Sequence, residues 1–140
     1  MKKLFVFFLG FSLVACQEQP SPELQASINR GQEVYQNFCI QCHLAEGQGV
    51  PNAFPPLAPS DFLETQTAAV IAGLKYGMQG EIVVNGQTYN GNMPAQGLED
   101  DEIADVVNYI RNSWGNQNRQ MILASDVAQT SKPNPWKNLS

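Results

Sequence analysis

The feature that most constrains this 140-residue chain is the segment Cys39-Ile40-Gln41-Cys42-His43. His43 is the only histidine of the chain, and Cys39 and Cys42 are two of its three cysteines. Two thiols at this spacing can add to the two vinyl groups of a haem, and the histidine that follows then lies beneath the ring, where it can ligate the iron. The motif therefore predicts one haem c, attached through Cys39 and Cys42, with His43 as an axial ligand.

Three alternative roles for the motif fit the sequence less well. A thioredoxin-like redox pair would need a βαβ context, and the sequence pattern shows none. A zinc site would need a second pair of ligands, but the only other cysteine is Cys16. A structural disulfide could form in an oxidising compartment, but it would give His43 no role.

A methionine is the expected second axial ligand, and three are candidates. Met93 is preferred because it lies in a segment rich in turn residues just before the last predicted helix, where it could reach the iron from the side opposite His43. Pro94 follows it and restrains the local backbone. Met78 is the second choice and Met121 the third, since a methionine is more often a core residue than a ligand.

The N-terminus has the pattern of an export signal. Lys2 and Lys3 precede an apolar run over residues 4–15, which is shorter than the roughly 20 residues that span a membrane. Leu13-Val14-Ala15-Cys16 resembles a bacterial lipobox, so residues 1–15 are predicted to be a signal peptide and Cys16 the lipidated first residue of the mature chain. Residues 16–27 would be a tether to the membrane, on the periplasmic side of a bacterial cell envelope.

The charge of the chain argues against nucleic-acid binding. The formal net charge is −5, and it becomes −7 without residues 1–15, which hold two lysines and no acidic residue. An acidic chain without a basic run favours a redox protein partner with a basic docking face.

The hydrophobic pattern predicts a mainly helical domain over residues 28–115. Its helices are expected over residues 28–38, with Ser27 as N-cap, over residues 64–76, ended by Gly77, and over residues 99–114. Asn85-Gly86 predicts a small β-hairpin near residues 82–89. Residues 116–140 are expected to form a C-terminal extension with one short helix near Ser125.

Several short patterns give the chain a resemblance to the class I c-type cytochromes, specifically bacterial single-haem lipoproteins and cytochrome subunits. They are Gly31, Tyr35, Cys39-x-x-Cys42-His43, Pro55-Pro56-Leu57, Met93-Pro94 and residues 98–111. The resemblance implies an all-α fold whose helices wrap around one covalent haem, with the first and last helices crossing near Gly31 against Tyr109 or Ile110. It also implies that the Pro56 carbonyl accepts a hydrogen bond from the axial histidine, with Pro55 as the alternative. Glu99 departs from the small hydroxyl residue that often caps the last helix.

These features predict an electron-transfer protein rather than an enzyme. Histidine and methionine together fill both axial positions of the iron and leave none for a substrate. Apart from the predicted haem site, no group of residues has a catalytic pattern. The expected function is a single-electron carrier between respiratory partners, with a dedicated cytochrome subunit of a larger oxidoreductase as the alternative; a peroxidase or gas sensor would need an open iron site.

Overall fold

The first helix, α1, begins earlier than the sequence pattern predicts. The computed structural model describes residues 19–133, in which α1 is Pro22–Phe38. The Ser21 hydroxyl accepts a hydrogen bond from the Leu24 N–H at 3.2 Å, and Pro22 occupies the first helical turn, where its missing N–H leaves no bond unmade. The predictions that Ser27 caps this helix and that residues 22–27 belong to a tether are therefore wrong. The predicted signal peptide and Cys16 lie outside the described residues.

Helix α5, Asp100–Ile110, crosses α1 at Gly31. A Cβ atom on Gly31 would lie 2.8 Å from the Tyr109 Cβ and would also collide with the Asp105 carbonyl group. The close approach that the resemblance implied therefore exists, and its partners on α5 are Asp105 and Tyr109 rather than Ile110. Only a residue without a side chain allows the two helix backbones to come this close.

A polar network, buried except for the exposed Arg30 side chain, holds the same two helices together. The Ser27 hydroxyl donates to Asp105 at 2.6 Å, and Arg30 donates to both carboxylate oxygens of Asp105 at 2.6 and 2.7 Å. Asn108 donates to the Ser27 hydroxyl at 2.8 Å. These bonds satisfy polar groups that would otherwise be costly to bury, and they fix the rotation of α1 against α5.

The segment between His43 and α5 contains two helices and a hairpin. The helix predicted over residues 64–76 is divided at Gln66 into α3, Asp61–Thr65, and α4, Thr67–Tyr76, and Gly77 with φ +80° ends α4 as predicted. Strands β1, Met78–Val84, and β2, Gln87–Met93, pair antiparallel. Asn85 and Gly86 both have positive φ angles, +51° and +76°, as in the type I′ turn that Asn-Gly favours.

The last predicted helix is shorter than expected, and the chain beyond it packs back onto the fold. Glu99 precedes α5, and its backbone N–H donates to the Glu102 carboxylate at 2.9 Å, so the N-terminus is capped without a hydroxyl residue. After Ile110 the chain turns and leads to α6, Ala124–Gln129. Asn108 binds both backbone groups of Ile122, at 2.8 and 2.9 Å. The C-terminal extension is thus packed against α5 as far as α6.

The architecture is mostly helical with one two-stranded hairpin, which confirms the predicted fold class. A short helical turn, α2, Ile40–His43, follows α1 and carries the cysteine–histidine motif. Among the helices of residues 19–133, none combines the length and the apolar character needed to cross a membrane.

Gly31→Ala tests the helix crossing. Alanine favours an isolated helix over glycine, so a loss of stability would come from the contact with α5. We expect the free energy of unfolding to fall by about 1–3 kcal/mol, because the added methyl group overpacks the crossing. Chemical denaturation of the holoprotein measures it. Gln32→Ala, at an exposed position of the same helix, is the control and should stay within about 0.5 kcal/mol of the wild type.

Candidate functional site

The cysteine–histidine motif lies at the C-terminal end of α1. Cys39 caps that helix by donating its backbone N–H to the Tyr35 carbonyl at 2.9 Å, and α2 continues from it as one helical turn. Residues three apart in a helix lie on the same face, so the turn brings Cys39 and Cys42 to one side of the chain. Cys39 is half-buried and Cys42 is exposed, and burial raises the pKa of the Cys39 thiol to about 11.

His43 is held as a neutral imidazole with one nitrogen free. Its Nδ1 lies 3.0 Å from the Pro55 carbonyl oxygen. A carbonyl can only accept, so Nδ1 carries the hydrogen and Nε2 keeps the lone pair that a metal needs. Burial lowers the pKa of His43, while its bond to Pro55 opposes that shift. The prediction that Pro56 supplies this carbonyl is wrong; Pro55, the alternative, does so, and Pro56 lines the adjoining cavity.

The loop that carries Pro55 is fixed by contacts to the same motif. The Gly49 N–H donates to the His43 carbonyl at 3.0 Å, and Gly49 adopts φ +64°. A Cβ on Gly49 would lie 2.7 Å from the Pro55 carbonyl oxygen, so a side chain there would disturb the group that orients His43. The Tyr35 hydroxyl donates to the Leu44 carbonyl at 2.6 Å and ties the residue after His43 to α1.

A largely apolar cavity of about 350 Å³ opens beside His43. The motif and the Pro55 loop form one wall, and α3, α4, the hairpin and α5 form the others. The apolar lining from these other elements includes Phe62, Leu63, Val70, Leu74, Ile82, Val84, Tyr89, Val106 and Ile110.

Two methionines lie on the hairpin wall of this cavity. Met78 and Met93 are directly opposed in the strand register, at the open end of the hairpin, so their side chains project from the same face. The prediction that Met93 lies in a loop is wrong, since it is the last residue of β2. Both methyl groups lie beside Gly73 of α4: a Cβ there would be 2.9 Å from the Met78 Cε and 3.6 Å from the Met93 Cε. Met121 is not part of the cavity wall.

This donor set suits a haem and suits other metal centres poorly. Two thiols and an imidazole lie on one side of an apolar space, and thioethers lie on its hairpin wall. Within residues 19–133, no group of three or more histidine, cysteine, aspartate or glutamate residues could hold a metal ion. A large apolar ring that is covalently attached would fill the space and complete the core.

Comparison with known proteins also indicates a haem protein. The family model described as Cytochrome c matches residues 28–114. The chain belongs to the cytochrome c family. It therefore binds a covalent haem c with its iron and functions in electron transfer, as predicted.

The relatives are of two kinds. The chain is 43% identical over 90 residues to cytochrome c-552 of Thermus thermophilus. This match covers 61% of this chain and 68% of the relative. It is 37% identical over 103 residues to the cytochrome c subunit of a quinone alcohol dehydrogenase from Gluconobacter oxydans, and 34% over 114 residues to the gluconate 2-dehydrogenase cytochrome c subunit of Pantoea cypripedii. These matches cover 71% and 73% of this chain but only 21% and 24% of the two subunits.

Sequence reasoning missed an aromatic cluster behind the motif. The rings of Tyr35, Tyr109 and Trp114 lie 4.9–5.5 Å apart, centroid to centroid. A Cβ on Gly47 would lie 2.6 Å from the Trp114 ring, so the loop after His43 packs closely on the cluster. Tyr35 lies one helical turn after Gly31 on α1, and Tyr109 faces Gly31 across the helix crossing, which is the signal that the sequence offers for these two rings. Trp114 depends on a left-handed turn with φ +52°.

Proposed function

We propose that the protein is a single-electron carrier in which Cys39 and Cys42 bind the haem and His43 and Met93 ligate its iron. The observation that carries the proposal is the bond from His43 Nδ1 to the Pro55 carbonyl, which leaves Nε2 free for the iron beside an apolar cavity. With both axial positions filled by protein, the iron has no open position for a substrate, so electron transfer and not catalysis is the proposed activity.

Met93 is proposed over Met78 on packing grounds. The Met78 side chain lies directly on Gly73 through both its Cβ and its Cε, which is the behaviour of a core residue. Met93 approaches Gly73 only with its methyl group, and Pro94 restrains the backbone that follows it. A ligand needs a thioether that is free to face the iron and a backbone that holds it there.

Haem staining after denaturing electrophoresis tests the attachment sites. Protein made with a cytochrome c maturation system should keep its haem stain, because thioether bonds survive unfolding. Cys39→Ala and Cys42→Ala should each reduce the yield of holoprotein sharply, since the haem completes the core and its loss removes folding free energy. Cys16→Ser is the matched cysteine control and should leave the stain unchanged; loss of stain from the wild type would contradict the proposal.

Met93→Ala tests the second axial ligand. We expect the near-infrared sulfur–iron band to disappear, the reduction potential to fall substantially and the iron to bind cyanide, because a thioether favours ferrous iron and fills the sixth position. Absorption spectroscopy and redox titration measure these changes.

Met78→Ala and Met121→Ala are the controls for the Met93 test, and both should keep the band. If Met78→Ala removes the band and Met93→Ala does not, Met78 is the ligand. A residual band in Met93→Ala that only the double variant Met78→Ala, Met93→Ala abolishes would show that the opposed methionine can replace it.

The second candidate function is that of a cytochrome subunit in a larger oxidoreductase. The match to two dehydrogenase cytochrome c subunits supports it, and those matches cover more of this chain than the match to cytochrome c-552. Purification from native membranes separates the two candidates. A stoichiometric dehydrogenase component that copurifies favours the subunit, and recovery of the cytochrome alone favours the carrier.

The proposed docking surface for a redox partner surrounds Cys42. Phe38 is 47% exposed and Phe54 40% exposed, and both line the mouth of the cavity. Exposed aromatic side chains at the opening of a redox site can make a small, short-lived contact. The acidic net charge of the chain would attract a partner with a basic docking face to this protein.

Electron-transfer rates with ionic probes test this steering. The second-order rate of oxidation by a cationic metal complex should fall as ionic strength rises, and the rate with an anionic complex should rise. Phe38→Ser should slow transfer to a strongly basic cytochrome, whereas Leu123→Ser, at another exposed apolar residue that does not line the cavity, should not. Rates that do not depend on salt would restrict the acidic residues to a role in solubility.

We also propose that Cys16 is lipidated and holds the protein at the periplasmic face of a bacterial envelope membrane. The order of residues 13–16 supports this, as does the export that haem c attachment implies. Because α1 begins at Pro22, the tether is reduced to residues 17–21, about 3.3–3.6 Å each when extended.

Cell fractionation with mass spectrometry tests the anchor. The mature wild-type protein should sediment with membranes and carry a lipid on an N-terminal Cys16. Cys16→Ser should block processing or release the protein, while its haem spectrum stays unchanged. An unmodified mature N-terminus at another residue would contradict the lipoprotein prediction.

A further inference from the structure

Among the residues that the structure describes, Arg111 carries a buried charge without a counter-ion. It follows the last residue of α5, and only 3% of its surface is exposed. One guanidinium nitrogen donates to the Gln120 carbonyl at 3.4 Å, which is long for such a bond. Across residues 19–133, its Nε is the only buried side-chain nitrogen or oxygen without a hydrogen-bond partner, and the ion pairs of these residues do not include Arg111.

A guanidinium in this position needs an anion. Arginine keeps its charge in proteins, and an unpaired buried charge is strongly destabilising. Burial lowers the pKa of Arg111, and no carboxylate within residues 19–133 offsets that shift. The planar fork of an arginine side chain is best matched by a carboxylate or a phosphate.

The space beside Arg111 adjoins the haem cavity. Arg111 lines a second cavity of about 310 Å³, between residues 59–64, Asn85 and residues 115–118. Ser60 and Leu63 line both cavities, so the two cavities are adjacent at the start of α3. A polar group at the edge of a ring in the first cavity can therefore extend toward Arg111.

The other groups at this junction also suit an anion. The Ser60 hydroxyl accepts from the Leu63 N–H at 3.3 Å, and its hydrogen remains free to donate. Two acidic residues, Asp61 and Glu64, line the second cavity, and both are exposed to solvent. The Asp61 carboxylate already accepts a hydrogen bond from the Asn85 N–H at 2.7 Å. Neither forms an ion pair with Arg111.

We propose that Arg111 and the Ser60 hydroxyl bind one propionate carboxylate of the haem. This rests on the proposed function, because it requires a haem in the first cavity. Part of the subsite lies beyond the family match, which ends at residue 114, since Gly115 and residues 116–118 form one wall. Arg111 is a positioning residue here: it does not contact the iron and acts through the propionate.

The expected effect is on the reduction potential and its dependence on pH. A positive charge near the haem favours ferrous over ferric iron, and it also keeps the propionate ionised through the neutral range. In a variant that lacks Arg111, the propionate would lose its proton at a higher pH than in the wild type, and the resulting negative charge would favour ferric iron. The reduction potential of this variant should therefore match that of the wild type in acid and fall below it as pH rises.

Redox titration of the holoprotein between about pH 5 and pH 8 tests this, with Arg111→Met as the variant. The wild-type potential should be nearly constant, and that of Arg111→Met should decrease with pH. Arg111→Lys should largely restore the wild-type profile because it keeps the charge. Arg119→Gln removes an exposed arginine of the same segment and should follow the wild type. A purely structural role for Arg111 would lower the melting temperature without changing the pH profile.

Nuclear magnetic resonance of the wild type decides the question even if Arg111→Met does not fold. One haem propionate should show no titration across the same pH range. Titration of both propionates in that range, or coincident pH profiles of Arg111→Met and Arg119→Gln, would overturn the inference. If the protein carries no covalent haem, both the proposed function and this inference are wrong. If it carries haem but the pH profile of the reduction potential is the same for the wild type and Arg111→Met, only the propionate site is wrong.

Discussion

The close crossing of α1 and α5 at Gly31 determines where the walls of the haem cavity stand. Cys39 and α2 follow α1 directly, so the position of α1 sets the position of His43. Helix α5 presents Val106 and Ile110 to the cavity. Any slip between the two helices would move the imidazole relative to the opposite wall. Ser27, Arg30, Asp105 and Asn108 resist such a slip through directional bonds, which apolar packing alone would not provide.

Features that depend on neighbouring residues could be predicted from the sequence. The cysteine–histidine motif, the helix end at Gly77 and the turn at Asn85-Gly86 each depend on a few adjacent residues, and their chemistry determines the local structure. The start of α1 is also local, because Ser21-Pro22 is a helix-start signal, although the predicted tether includes these residues. The role of Ser27 was not predictable, since its partner Asp105 lies 78 positions further along the chain.

The finer parts of the site depend on register, which the sequence does not determine. Pro55 and Pro56 are adjacent and chemically alike, and the loop that follows the bridge between Val50 and Phe54 presents the Pro55 carbonyl to His43. The strand pairing likewise brings Met78, fifteen positions before Met93, to the same face of the hairpin. A sequence pattern identified both methionines as candidates, but only the paired strands show that they compete for the same space beside Gly73.

Asn116, beyond α5, bonds to residues that line the haem cavity, so at least the start of the C-terminal extension is not a separate tail. Asn116 donates to the Leu57 and Ile110 carbonyls and accepts from the Ser60 N–H, so it joins the Pro55 loop, α5 and the start of α3. It also lines the cavity beside Arg111. The acidic residues on the surface are screened by water and salt, while a buried charge acts through a medium of lower dielectric constant. A single buried arginine can therefore influence the iron more than several surface carboxylates, and an acidic protein can still hold its haem beside a positive charge.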